Sequence, residues 1–482
     1  MTPTSASRPA GDRPEGVSSA PARRTGPAAW YALFVLFVAY TFSFIDRTIL
    51  ALLVEPLKQD LALSDTQVSL LHGFAFAIFY TTLGIPIARL ADRMPRRTII
   101  VWSVAVWSVA TCLCGLAGRF AHLFLARVGV GAGEAGLSPA AYSMIADMFP
   151  RRLLGRALGL YSMGVYVGAG LAFLVGGAIV GRALAAGTLS LPLVGELKAW
   201  QAIFFIVGAP GLLVALLMLT VAEPPRKQAA PARTHRSLTA VFRFIAAEPG
   251  TFLMHFAGFS ALGLLFNAFI AWSPSLLIRQ MAFTTAEAGA LLGLGILVFG
   301  SLGIVAGGAY SDWLERRGRA EAPLLTGRLA GVWLLFAGIL LPLVEHTAAK
   351  AALVGLFFFW AAFPYAAAAA AIQIAAPPAL RAQMSAVYLF CLNLVGIGVG
   401  ATLVGVLTDY VFADPAALPW SMAVTAAISA PVGVLCLHLG CAPFRRSAAA
   451  RTRENADAGA GTASETTAGS RAGSAQNNFL ET

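Results

Sequence analysis

Residues 88–97 read ARLADRMPRR, and residues 308–317 read GAYSDWLERR. In each, a small residue stands four places before an aspartate: Ala88 before Asp92, and Gly308 before Asp312. In each, an arginine pair follows at four and five places: Arg96 and Arg97, then Arg316 and Arg317. The two stretches close the second and the eighth of a series of apolar runs. Position and spacing recur together, so the chain reads as two copies of one unit. Two parallel copies imply halves that rock around a shared central site.

Composition sets the class. The 482 residues are 58% hydrophobic and only 12% charged, against about 25% charged in a soluble domain. An all-α integral membrane protein follows. Twelve apolar segments reach the roughly 20 residues that span a bilayer. They cover 29–51, 66–90, 98–117, 120–148, 153–182, 200–221, 249–273, 286–311, 324–344, 350–374, 382–410 and 418–440. The longest internal polar stretch, AEPPRKQAAPARTHRS at 222–237, divides them six and six. The expected organisation is a tail at 1–28, a six-helix half at 29–221 and a linker at 222–248. A second six-helix half at 249–441 and a tail at 442–482 complete it. Both tails are rich in small and polar residues and read as disordered. The first lacks the apolar core of a signal peptide.

The net charge is +11. Its basic residues sit in short clusters between apolar runs, so topology explains them better than nucleic acid does. Arg89, Arg93, Arg96 and Arg97 fall on one side with Arg151, Arg152, Arg156, Arg316, Arg317 and Arg319. The opposite loops hold Lys58, Arg119, Lys198, Arg279 and Lys350 singly. By the positive-inside rule both termini are cytoplasmic. The expected location is the inner membrane of a bacterial cell, crossed many times by a monomer. Five cysteines lie in or beside apolar runs without metal-ligand spacing. No metal, cofactor, nucleotide loop or nucleophile–histidine–acid set is in view, which excludes an enzyme. A channel would need a continuous polar pore, and the second half lacks one.

Residues 41–57, TFSFIDRTILALLVEPL, place Asp46 and Arg47 side by side inside the first span. An ionisable group there costs about 2.5–3.5 kcal/mol on insertion scales. Asp46 falls about 24 Å along a helix that begins near Trp30. Adjacent helical residues point about 100° apart, so the two charges need other partners. The fourth span supplies them in RVGVGAGEAGLSPAAYSMIADMFPRR, 127–152. Arg127 and Glu134 are seven apart, two turns along one face. An Asp46–Arg127 pair fits the helix depths. The glycines at 129, 131, 133 and 136 let a neighbouring helix approach closely. Desolvation strengthens a carboxylate's hold on its proton, and a nearby guanidinium weakens it. Asp46 and Glu134 are therefore the candidate proton carriers, with Arg47 and Arg127 as charge partners or anion ligands. His72 in the second span is a candidate proton site or pore hydrogen-bonder. The second half offers neutral polar groups: Asn267, Tyr365, Gln373 and Asn393. Phe357, Phe358, Phe359, Trp360 and Phe363 in the tenth span read either as core or as a cavity wall.

The duplicated loop resembles the signature of the major facilitator superfamily. Ala88 and Pro95 replace its two glycines in the first copy, and Trp313 replaces its arginine in the second. The resemblance implies twelve transmembrane helices in two six-helix pseudo-symmetric halves. It also implies a cytoplasmic gate at the loops, from Asp92, Arg93, Arg96, Arg97, Asp312, Arg316 and Arg317, with Asp147 and Arg151 as candidate members. FIDRTIL, HGFAFAIFY and RVGVGAGEAG resemble the Spinster branch of that superfamily. That likeness implies lysolipid or sphingosine phosphate transport, with proton dependence carried by the first-span aspartate and the fourth-span glutamate. The expectation is a proton-coupled secondary transporter for lysophospholipid-like or other amphipathic anions. The alternative keeps the fold and moves drugs or small organic metabolites. Drug antiporters of the superfamily often carry Gly-Pro in the fifth span, and YSMGVYVGAGLAFLVGG at 161–177 has none.

Overall fold

The computed structural model describes residues 26–478, apart from 92–93, 192–194, 226–237 and 378–379. Its regular secondary structure among the described residues is helical save for one short hairpin, and ten helical stretches are long and apolar enough to cross a membrane. Helix α1 covers Pro27–Leu61. The expected span 66–90 is two helices, α2 (Asp65–His72) and α3 (Phe74–Ala91), joined at Gly73. After α4 (Arg96–Cys114), the expected span 120–148 is also two, α5 (Phe120–Glu134) and α6 (Leu137–Met148). Helices α7 (Leu153–Ala186) and α8 (Ala199–Leu219) follow. Between them the antiparallel strands β1 (Thr188–Leu191) and β2 (Gly195–Lys198) form the hairpin. A short helix, α9 (Leu238–Ala247), leads into α10 (Pro249–Met281). The remainder are α11 (Thr285–Arg316), α12 (Ala322–Leu343), α13 (Thr347–Ala375), α14 (Gln383–Val411) and α15 (Pro415–Arg451).

Local chemistry sets several of these ends. Ser64 and Gln67 form a reciprocal capping box that starts α2, and Thr284 with Glu287 does the same for α11, each satisfying backbone donors that the first turn leaves free. Gly73 breaks the second span because α14 crosses there. A Cβ at Gly73 would lie 2.5 Å from the Ile397 carbonyl oxygen.

Helices α1–α8 pack on one another, and so do α10–α15. The two groups meet chiefly where α7 lies on α11, α2 and α3 lie on α14, and the middle of α1 touches α10. These contacts lie toward the face that carries the hairpin. There the chain also builds an ionic clamp between the groups. Arg279, at the end of α10, makes two bonds to Asp65, 2.8 and 2.9 Å, and one to Glu55, 2.8 Å. Lys58 adds a further bond to Asp65. From α14, the Asp409 carboxylate accepts from the backbone N–H of Thr66, 2.5 Å, and of Asp65, 3.3 Å. A carboxylate at a helix N-terminus is favoured by the exposed N–H groups there.

On the opposite, linker face, charges bond within their own group. Arg96 is buried and binds Glu223 at 2.9 Å, Ser143 at 3.1 Å, the Pro224 carbonyl at 2.8 Å, and Asp147. Arg97 donates its backbone N–H to Glu223 at 2.8 Å. In the second group, Glu321 faces Arg445 at 3.4 Å and Arg319 at 3.6 Å. Asp312 and Arg316 are exposed, and Arg317 lies over the Trp313 ring at 3.9 Å. Among the described residues no ion pair joins the groups on this face. Asp92 and Arg93 lie outside the described residues, as do Arg226, Lys227, Arg233 and Arg236 of the linker.

The boundary expected after residue 441 does not end the packed helix. The last helix is continuous from Leu418 to Asn478. Ser447 meets Thr251 at 2.9 Å, and Arg451 meets Glu248 at 3.1 Å. Sparse apolar residues hide this extra packing from a hydropathy reading.

The clamp carries a pH signature. Asp65 precedes the expected second span. Burial alone pushes its carboxyl up, but the hydrogen bonds and charges of Arg279 and then Lys58 hold it below the ordinary range. A lowered value means the clamp is complete above the ordinary carboxylate pKa of about 4 and fails only as pH falls further. Closure of the hairpin face is therefore expected to be constant from about pH 5 to 8. Asp65→Asn should open this face about tenfold more often, a shift of about 1.4 kcal/mol. Spin-label distances between the ends of α2 and α10 measure it, and distributions identical to the parent's would contradict the clamp.

Candidate functional site

Two crossed ion pairs join α1 to α5. Asp46 and Arg47 leave α1 in different directions. Asp46 faces Arg127, with Oδ1 3.4 Å from Nη1, and accepts a hydrogen bond from Thr111 of α4. Arg47 faces Glu134, with Nη2 at 2.5 Å and Nε at 2.6 Å from Oε2. That same oxygen accepts from Ser43 at 2.5 Å. Asp46, Arg127 and Glu134 are buried, while the Arg47 side chain keeps 14% of its surface exposed.

The glycines of α5 make this reach achievable. A Cβ at Gly131 would lie 2.5 Å from the Phe76 carbonyl, and one at Gly133 would lie 2.6 Å from the Trp107 nitrogen. Only a helix without side chains at these points can lie so close to both α3 and α4. The short separations then let Arg127 and Glu134 meet α1.

Aromatic rings enclose the exposed member of the cluster. The Arg47 guanidinium lies 4.5 Å from the Phe76 ring centre, 4.6 Å from Tyr80 and 4.9 Å from Phe44. Such cation–π contacts contribute about 0.5–2 kcal/mol each, more where water is excluded. Beyond them runs a row of tyrosines. Tyr40 stacks on Tyr161 at 4.5 Å, and Tyr142 meets Tyr161 edge-on at 5.4 Å. Tyr166 of α7 meets Tyr365 of α13 at 6.2 Å, which carries the row across to the second group.

Several groups in the cluster keep unused capacity. Glu134 Oε1, Arg127 Nε and His72 Nε2 are buried without hydrogen-bond partners. His72 contacts the Leu50 backbone and feels the Arg127 charge. A buried polar atom without a partner is costly, so such atoms mark places where a proton or ligand atom has room to act.

The second-half candidates do not gather into one site. Asn267 donates to the Gly263 carbonyl of its own helix at 2.8 Å. Gln373 donates to Ser385 at 3.3 Å. Asn393 lies in a π-helical stretch, Leu392–Val399, partly buried. Tyr365 alone joins the tyrosine row. Of the tenth-span aromatics, Phe357 and Phe358 are core, with Phe357 stacked on Phe269 at 4.1 Å. Trp360 stacks on Trp333 at 5.5 Å, away from the row. On the linker face, Arg96 meets Asp147 while Asp312 stays apart from both. Arg151 begins the helix Arg151–Ser162.

Sequence reasoning missed Ser43, Thr111, Phe44, Phe76, Tyr80 and the tyrosine row. Ser43 lies three residues before Asp46 and four before Arg47 in a helix, which places it near that face, and this spacing could have flagged it. Nothing about Thr111 separates it from an ordinary packing residue.

The Major Facilitator Superfamily family description matches residues 36–401. The chain belongs to that superfamily of membrane transporters. It is a multi-pass membrane transporter and not an enzyme. It is 31% identical over 429 residues to an MFS-type efflux pump of Mycolicibacterium smegmatis, covering 88% of this chain and 96% of the relative. It is 25% identical over 390 residues to a hexuronate transporter of Bacillus subtilis, covering 78% and 87%. Among solved structures it resembles a bacterial homologue of the human lysosomal transporter Spinster, inward-facing and unoccupied. That likeness has a TM-score of 0.72 and 30% identity, covering 88% of this chain and 97% of the other. The Spinster resemblance seen in the sequence motifs thus holds over most of the chain.

Arg127→Gln removes the cation opposite Asp46. The buried carboxylate then lacks its counter-charge, and the pH profile of transport should differ from the parent's. Initial uptake rates across pH in vesicles test this. An unchanged profile at full activity would reduce Arg127 to a packing residue.

Proposed function

We propose that this transporter works by alternating access, driven by protons, and moves lysophospholipid-like or other amphipathic anions. The carrying observation is the crossed pair of ion pairs with Arg47 at its exposed edge, ringed by Phe44, Phe76 and Tyr80. A guanidinium beside aromatic faces suits an anionic headgroup with an apolar body. In this reading Asp46 and Glu134 carry the protons. An anion drawn to Arg47 competes with Glu134, and the displaced carboxylate takes up a proton. His72, Arg127 and Tyr365 line the same path, with Asn267, Gln373 and Asn393 as contacts reached when the second half tilts.

The proposal includes twelve passes in two six-helix halves, 29–221 and 249–441, joined by the 222–248 linker, in a monomer. The linker face is cytoplasmic, as the arginine clusters suggest, and the membrane is the bacterial inner membrane. When the halves rock to close this face, Asp92, Arg93, Arg96, Arg97, Asp147 and Arg151 meet Asp312, Arg316 and Arg317 as a gate. In the present conformation the ionic clamp is on the opposite face, which agrees with that order of events.

A second reading keeps the mechanism and changes the cargo to a drug or small organic metabolite. The tyrosine row favours it, because phenol hydroxyls suit polar groups spread along a small molecule. An efflux pump and a hexuronate transporter among the relatives point the same way. Competition between labelled lysophospholipid and a hexuronate for uptake into vesicles separates the two.

Asp46→Asn holds the site in its protonated form. It leaves the buried Arg127 without its counter-charge, a destabilisation of about 3–5 kcal/mol, so transport is compared per amount of folded protein in the vesicles. Uphill accumulation under an imposed pH gradient should fall to the gradient-free level, a loss of tenfold or more, about 1.4 kcal/mol or beyond. Counterflow at equal pH should persist. Both are measured in the same vesicles. Full gradient-driven accumulation in Asp46→Asn and in Glu134→Gln alike would end the coupling assignment.

A further inference from the structure

Arg328 is a charge that neither the crossed pairs, the clamp nor the gate uses. It sits on α12, six residues past Ala322, about 9 Å of helical rise from the linker-face end. Its Nε is buried without a hydrogen-bond partner. The guanidinium lies near Cys441 on α15, whose thiol donates to the Leu437 carbonyl at 3.2 Å. Arg445 lies one turn beyond Cys441 on the same helix and shares the nearby buried Glu321 with Arg319. Two guanidinium groups therefore share one carboxylate, and Arg328 is a further positive charge near Cys441, with no ion pair to Glu321 among the described residues. The Glu321 distances, 3.4 and 3.6 Å, are long for ion pairs. Arg445 and Arg319 remain 57% and 58% exposed.

The cluster opens away from the bundle. On α12, Val332 and Phe336 follow Arg328 at four and eight residues, on the same face, and both are exposed. On α15, Leu435, His438 and Leu439 are exposed just before Cys441. Neither helix packs extensively against α1–α8, so these surfaces look outward to the bilayer. A guanidinium at this depth is costly unless an acceptor answers it. Glu321 is already shared by Arg445 and Arg319, and the Arg328 Nε has no partner.

We propose that Arg328, with Arg445 and Arg319, binds the phosphate of an anionic phospholipid from the leaflet on the linker face. The planar donor fork of arginine matches two phosphate oxygens at once. The buried Nε of Arg328 supplies a donor to the deeper oxygen, and Arg445 and Arg319 close over the outer ones. Acyl chains then lie along Val332 and Phe336. Basic pockets between helices near the membrane surface are known binders of such headgroups. The bound lipid ties α12 to α15 and leaves the transport site in the first group untouched.

The test uses the full-length protein in detergent and counts retained lipids by native mass spectrometry. The added probes are phosphatidylglycerol, phosphatidylcholine and inorganic phosphate. The parent should hold one phosphatidylglycerol at least tenfold more tightly than phosphatidylcholine. Arg328→Gln should lose that preference, and Arg328→Lys should recover part of it. Arg445→Gln, an exposed change that leaves the fold intact, should weaken it severalfold. Arg243→Gln on α9 removes the same charge elsewhere and should leave it unchanged. Equal preference in parent and Arg328→Gln, or equal losses in Arg445→Gln and Arg243→Gln, would overturn the site. Displacement of the lipid by millimolar inorganic phosphate would overturn the lipid as occupant and assign a free anion in its place.

Discussion

Charge inside an apolar bundle has to be answered by opposite charge within reach. In this protein that requirement falls on one contact, between α1 and α5. Asp46 and Arg47 are adjacent on one helix, and Arg127 and Glu134 are two turns apart on the other. The pairs cross, so neither helix can slide or turn without straining both. The bare backbone at Gly131 and Gly133 is what lets the helices come close enough. A side chain at either point would push α5 from α3 or α4 and leave two buried ion pairs short of their partners. Losing one partner of a buried pair is far more damaging than never having had the pair, at about 3–5 kcal/mol. The packing of the first group is therefore built around its charges.

The two pairs are not equivalent. Both Asp46 oxygens are engaged, and the residue is sealed between Thr111 and Arg127. Glu134 concentrates three bonds on Oε2 and leaves Oε1 bare. Its partner Arg47 touches open space and is gripped by three rings. In the proposed cycle the exposed pair meets the cargo, and the sealed pair registers the outcome through α1. One residue of helix separates the two, so a shift at Arg47 is transmitted to Asp46 with little loss.

How much of this was legible depended on rarity. Asp46, Arg47, Arg127 and Glu134 stand out because charges are scarce in apolar runs, and the duplicated loop stands out because its spacing recurs. Serines, threonines and aromatics are common in such runs. Ser43, Thr111 and Tyr80 therefore carry no sequence signal until their neighbours are known. Arg279 was visible but read as a lone loop charge, since its partners Glu55 and Asp65 are more than 200 residues away. The spans 66–90 and 120–148 read as single runs because a joint at Gly73 or Gly136 leaves hydropathy unchanged. The packing beyond 441 was hidden for the opposite reason. Ser447 and Arg451 pack on α10 through polar bonds, which an apolar count does not register.

The charges of the transport site belong to one group, yet the motion that uses them involves both. Among the described residues, the second group brings no ionised side chain to the crossed pairs. What it brings is shape: Tyr365 against Tyr166, and the seam of α11 on α7. At that seam a Cβ on Gly177 would lie 2.9 Å from the Gly289 Cα. Backbone meets backbone there, with no flexible side chain to absorb a displacement. Closely packed interfaces of this kind hold discrete arrangements and do not deform smoothly. In the proposed cycle a change of charge at Asp46 or Glu134 would alter how α1 sits against α5 and α7. The seam passes that change to α11 as a tilt of the whole second group. The Arg279 clamp sets the threshold, because the tilt must part Arg279 from Asp65 and Glu55 before the hairpin face opens. In the proposed cycle, proton-linked chemistry in one group and a rigid seam with an ionic latch between the groups are thus the two parts that alternating access needs.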